Sequence, residues 1–217
     1  MQIEHALRAV NKGGTALGIK ASNGVVIVTE KKLPTPLIDE SSIEKISVIT
    51  ETIGMVYAGV GPDFRLILRK ARRQAELYKL RYHEPIPVSQ CAREIANIMQ
   101  EYTQSGGVRP FGISLLVAGY DHNGPQLYQV DPSGSFWAWK ASSIGKNSDN
   151  AKTFLEKRYS DSISLEDAIN TAILTLKEGF EGEMDENNIE IGIVDENKKF
   201  KCLKPSEIAD YLNEIGD

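Results

Sequence analysis

Cysteine is scarce: Cys91 and Cys202 are the only two in 217 residues. They cannot form the disulfide framework that stands in for a core in small secreted chains, and they fit a reducing compartment. Long hydrophobic runs are missing too. The longest, at 24–28 and 113–118, fall far short of the ~20 residues that span a bilayer, so no membrane partner is expected. There is no excess of positive charge: 25 basic against 30 acidic residues leave a net charge of −5, and the electrostatic footprint of a nucleic-acid binder is absent. His5, His83 and His122 share no metal-ligand spacing, so neither a metal nor another cofactor is expected. No stretch is low in complexity, and no signal peptide is expected. What remains is a chain with 41% hydrophobic residues, enough for one substantial core, which predicts a single domain over 1–217.

Hydrophobic periodicity organises that domain. Strand-like runs at 15–21 and 25–30 are joined at Asn23-Gly24, a hairpin signal, and 44–50 and 53–59 repeat the pattern. At Pro62 the period changes to 3.6. Phe64, Ile67, Leu68, Ala71, Ala75 and Tyr78 share one helical face, and from Val88 a second helix aligns Cys91, Ala92, Ile95, Ile98, Met99 and Tyr102. Strands return at 113–119, 126–130 and 136–140. Helices follow at 148–157 and 164–180, the second opened by Ser164 and Asp167 in a capping-box arrangement. Strands at 189–194 and 199–203 flank a turn at 195–198, and a helix over 205–215 closes the chain. Helix pairs between groups of antiparallel strands predict an α+β chain folded as a four-layer α/β/β/α sandwich.

One segment stands out for chemistry it does not have. Tyr102-Thr-Gln-Ser-Gly-Gly-Val-Arg-Pro-Phe-Gly112 contains no nucleophile, base or metal ligand set, yet it is strongly specified. Gly106 and Gly107 are expected to supply the φ > 0 conformations that end a helix, and Pro110 to keep Arg109 extended before the next strand.

This segment closely resembles the signature of proteasome alpha subunits. The likeness runs through the chain: Gln2-Ile-Glu-His-Ala6, Gly18-Ile-Lys20, Ser42-Ile-Glu-Lys-Ile46, Gly61-Pro-Asp63 and Asp131-Pro-Ser-Gly134 match in order. The stretches at 129–134, 139–141, 152–159 and 165–169 point within the family to one eukaryotic subtype. The resemblance implies a sandwich of the N-terminal-nucleophile hydrolase type, without catalytic residues, placed beside other alpha subunits in a seven-membered ring. A beta ring stacked on it would perform the hydrolysis, with a regulatory particle or other activators docking outside, in cytoplasm and nucleus, for ubiquitin-dependent and ubiquitin-independent degradation. Two sites carry over. Lys45 matches the lysine that receives the C-terminal carboxylate of activators between neighbouring subunits, a task suited to an ammonium. Ser105, Gly106, Gly107 and Val108 match the loop that lines the axial pore. His5 stands where the family usually has tyrosine, a position associated with the ordered open gate, but it reads more readily as a helix-surface histidine. The chain also begins inside the N-terminal signature, so the family's gating tail is expected to be absent or truncated.

Three other readings are open to test. Gly14-Thr15 looks like the junction at which beta-type subunits expose a threonine nucleophile, with Glu30 and Lys45 as supporting acid and lysine. Spacing opposes it: alignment on Gly18 puts Gly14, which has no hydroxyl, at the nucleophile position, and 2–10 reads as a retained amphipathic helix. A monomeric scaffold with a peptide groove is the second reading. A nucleic-acid role for Arg69, Lys70, Arg72 and Arg73 is the third; a solvated helix face or subunit contact explains them better in an acidic chain.

Overall fold

The computed structural model describes residues 2–216. Helix α1 (Gln2–Lys12) leads into the hairpin β1 (Ala16–Lys20) and β2 (Gly24–Glu30); β3 (Ile46–Thr50) and β4 (Ile53–Gly59) form a second. Helices α2 (Gly61–Tyr82) and α3 (Val88–Gln104) precede β5 (Ile113–Asp121), β6 (Gly124–Val130), β7 (Phe136–Ala138) and β8 (Ala141–Ile144). The chain closes with α4 (Ser148–Arg158), α5 (Leu165–Glu178), β9 (Ile189–Asp195), β10 (Phe200–Cys202) and α6 (Pro205–Gly216). Among the described residues the strands make two five-stranded antiparallel sheets, ordered β10-β9-β2-β1-β8 and β3-β4-β5-β6-β7.

The four layers follow from apolar residues on both sides of each central strand. Along β5, Ile113, Leu115 and Val117 face α2 and α3, whereas Leu116 and Ala118 face the other sheet. On β2, Val26 and Val28 turn to α5 while Val25 and Ile27 turn inward. Helices α2 and α3 present the faces that their spacing predicts: Phe64, Ile67, Leu68, Ala71 and Ala75 on α2, and Cys91, Ala92, Ile95, Ile98 and Met99 on α3, are buried. Ser164 caps α5, its hydroxyl accepting the Asp167 N–H at 3.2 Å. The two sheets are bolted together by Phe200. Its ring lies so close over β4 and β9 that a Cβ at Gly54 would stand 2.1 Å from it, and one at Gly192 2.6 Å. No helix among the described residues is long and apolar enough to cross a membrane.

Two features differ from expectation. The strand expected over 136–140 ends at Ala138, where the chain leaves one sheet for the other. Trp139 N–H still donates to Leu127 C=O (2.8 Å) in the first sheet, Lys140 C=O accepts from Lys20 N–H (2.7 Å) in the second, and β8 then pairs with β1. Backbone hydrogen bonds thus flank the crossing on both sides, and the local pattern carries no trace of it. In α1 only Ala6 and Val10 of the expected apolar face are buried, while Ile3 and Leu7 stay 36% and 38% exposed.

Candidate functional site

Lys45 lies just before β3, where the ends of three strands from two sheets meet. Its main-chain N–H donates to Glu190 Oε2 on β9 at 2.7 Å, and its ammonium donates to the Glu30 carbonyl at the end of β2 at 3.3 Å. The ammonium also lies 5.3 Å from the centre of the Tyr57 ring on β4, within cation–π reach. Burial pushes the Lys45 pKa down, and the charges of Glu30 and Glu190 only partly oppose it. Burial likewise pushes Glu190 up, against the pull of the Lys45 N–H and of Lys31 and Lys45. The result is a poorly hydrated cation, restrained at its main-chain N–H and at its ammonium and suited to receiving a compact anion.

The same corner brings together Glu30 and Lys45, but around Gly14. A Cβ on Gly14 would lie 3.0 Å from Glu30 Cγ and Oε1 and 3.1 Å from Lys45 Nζ. Thr15 is 5% exposed, its nitrogen is an amide that donates to Glu30 Oε1 at 2.9 Å, and its hydroxyl donates to the Lys146 carbonyl. Its hydroxyl hydrogen is thus committed to main chain. The two groups cast as helpers of a nucleophile face a residue with no side chain.

The second expected feature, 105–108, projects from the end of α3. Ser105 finishes that helix, with N–H and hydroxyl both donating to the Glu101 carbonyl at 3.1 and 2.8 Å. Only Gly107 has positive φ, at +81°; the expectation that Gly106 shares it is corrected, because the side chain and amide of Ser105 already cap the helix and one left-handed residue suffices to turn the chain. A Cβ on either glycine would meet nothing within 4 Å, and Val108 is 42% exposed. The loop then returns through Arg109, whose two terminal nitrogens donate to Asp63 Oδ2 and Oδ1 at 2.7 and 2.8 Å. Gly112 N–H adds a third bond to Asp63 Oδ2 at 2.8 Å. Burial by itself would raise the Asp63 pKa, but the Arg109 hydrogen bonds, the Gly112 amide and the Arg109 charge together hold it below the ordinary carboxylate value. Lys45 and this loop share no hydrogen bond, ion pair or cavity among the described residues.

Sequence reasoning singled out neither Glu190 as the anchor of Lys45 nor Asp63 as the partner of Arg109. Asp63 had a signal, since it sits in the first turn of α2 within the Gly61-Pro-Asp63 match. Glu190 had none, lying 145 residues from Lys45. His5 is exposed on α1. In the basic cluster, Arg72 donates to the Val48 carbonyl at 2.9 Å and Lys70 lies 5.5 Å over the Tyr102 ring, so two of its four cations are engaged by the fold. A groove of about 780 Å³ lies along the end of α2, lined by Leu77, Tyr78, Leu80, Tyr82 and Ile86. Within it Leu80 is 76% exposed.

Residues 10–194 match the family described as Proteasome subunit. Proteasome subunit alpha type-2-A of Arabidopsis thaliana is 66% identical over 99% of this chain and 92% of that one. The alpha type-2 subunit of Oryza sativa subsp. japonica is 65% identical, with the same shares covered. That of Drosophila melanogaster is 58% identical, again over 99% of this chain and 92% of its own. Type 2 is the subtype to which the 129–134 and 152–159 stretches point.

Proposed function

The chain belongs to the proteasome subunit family, as an alpha type, and from that membership we propose that it is a non-catalytic member of a seven-membered outer ring. In this reading its neighbours are other alpha subunits, and it stacks on a beta ring that cuts peptides. Regulatory or activator particles dock on its outer face. Its work is ring assembly, a share of the axial opening, and docking, in the service of ubiquitin-dependent and ubiquitin-independent degradation in cytoplasm and nucleus.

The observation that carries the non-catalytic reading is Gly14. Lys45 and Glu30 converge on a residue without a hydroxyl, while the hydroxyl of Thr15 beside it is committed to the Lys146 carbonyl. Lys45 supports a docking role, since its ammonium is poorly hydrated and held in one place. Its ligand would be the terminal carboxylate of an activator chain. The 105–108 loop supports a role at the opening, because its two glycines let main chain approach an axis without side-chain bulk. Exposed apolar side chains, Leu37 at 92% and Leu80 at 76%, fit a chain covered by neighbouring subunits. The threonine-protease and monomeric-scaffold readings gain no support from these observations.

Native mass spectrometry of the endogenous complex isolated through this chain, with a fluorogenic peptide assay on the same sample, tests the proposal. The expected result is a large hydrolytic assembly of alpha- and beta-type chains in which this chain is uncleaved at Gly14. A chain beginning at Thr15, or a lone monomer, would overturn it.

A further inference from the structure

Asp63 is 7% exposed and charged, at the first turn of α2. All three side-chain hydrogen bonds that it accepts come from one short stretch: two from Arg109 and one from Gly112 N–H. Main chain reinforces the junction, since Val60 N–H donates to the Gly112 carbonyl at 3.0 Å. Between these anchors Pro110 and Phe111 are buried, and the Phe111 ring packs on Tyr102 near the end of α3 at 4.4 Å. The 105–108 loop has no such support along its length, for the Cβ positions of Gly106 and Gly107 have nothing within 4 Å. What holds the loop is therefore its two ends. Ser105 fixes the first to α3, and Arg109 stands at the second, one residue beyond Val108.

We infer that Asp63 and Arg109 are positioning residues for the 105–108 loop, their fork tying its returning end to the start of α2 and setting how far the loop projects. The inference rests on the reading of 105–108 as part of the axial opening. A guanidinium is needed because the two parallel bonds fix orientation as well as distance; a lysine in its place is a point charge that leaves the loop free to swing. Burial of the carboxylate sharpens the effect, since a desolvated acceptor left without its donors is costly and holds on to them. The end of α1 abuts the same junction: a Cβ on Gly112 would lie 3.6 Å from that of Ala9.

The test uses assembled particles in which this chain carries Arg109→Lys or Arg109→Gln. Arg109 is 66% exposed, and the Gly112 N–H remains as a donor to Asp63 when the guanidinium is removed, so exchange through β5 and β6 reports whether the fold survives in both variants. Hydrogen exchange would be read at the Gly112 amide and through β5 and β6, together with the ratio of unfolded-protein to short-peptide hydrolysis. Both variants are expected to raise Gly112 exchange about tenfold, the scale of one charge-assisted hydrogen bond, with β5 and β6 unchanged. The hydrolysis ratio is expected to rise, because a loosened rim admits bulkier chains. Unchanged Gly112 exchange in both variants, or a rise spread evenly through β5 and β6, overturns the inference. Faster Gly112 exchange with an unmoved hydrolysis ratio keeps the clamp and refutes the pore reading on which it was built.

Discussion

Replacing Lys45 by methionine separates what its charge does from what its stem does. The ammonium is largely buried and lies 5.3 Å from the centre of the Tyr57 ring; methionine is of similar length and volume, so the exchange should cost less than about 1.5 kcal/mol of stability. Charge adds no large penalty, because the downward pKa shift shows that burying the ammonium outweighs the attraction of Glu30 and Glu190. Docking should respond quite differently. A hydrogen bond between charged groups contributes ~1.5–3 kcal/mol, so an activator's terminal carboxylate should bind this pocket roughly 10- to 150-fold more weakly. Other pockets of a ring would mask the loss through avidity, so the assay needs a monovalent peptide with a free carboxylate and a photo-crosslinking group. Crosslinks into this chain are then counted by mass spectrometry as a function of peptide concentration. In the parent particle, docking should fade as pH rises through the lowered Lys45 pKa, below the ordinary lysine value of 10.5, because only the ammonium binds. An unchanged concentration dependence in Lys45→Met, or equal crosslinking by a C-terminally amidated peptide, would refute the reasoning.

Other consequences are equally direct. Gly107→Ala should cost ~1–2 kcal/mol for its left-handed backbone, whereas Gly106→Ala should be close to neutral; equal effects in a thermal melt would deny the assignment of positive φ to one glycine alone. Phe200→Ala should cost ~3–5 kcal/mol. Gly54→Ala should be severe in the parent and far milder in a Phe200→Ala background, since the ring 2.1 Å from the new methyl is then gone; additivity in a double-mutant cycle would contradict the packing. The Asp63 pKa is lowered by the fold, so its stabilisation is in full force above the ordinary carboxylate value of 3.8 and is lost as pH falls through the lower folded value. Asp63→Asn should flatten that acid limb of the stability curve, and an identical limb in the variant would count against the clamp.

Much of this molecule was legible in the chain because it is written locally. A 3.6 period over 64–78 and 91–102 marks which faces of α2 and α3 are buried, since side chains three and four apart share a helix face whatever lies opposite. The short, largely apolar run over 113–118 marks a strand buried on both faces, since it is too short for a buried helix and is bounded by glycines at 112 and 119. The resemblance named Lys45 and 105–108 by position, without their surroundings.

What only the tertiary structure decided are the long-range partnerships. The chain crosses sheets at Trp139 because hydrogen-bond partners wait on both sides, at Leu127 and Lys20, and nothing between Phe136 and Ile144 encodes where those strands will be. Lys45 takes its restraint from Glu190, and burial lowers its pKa from the ordinary lysine value. Asp63 meets Arg109 across 46 residues. A sequence specifies each group's chemistry, but the energy of a hydrogen bond, and of a charge removed from water, depends on distances that exist only once the sheets have closed on one another.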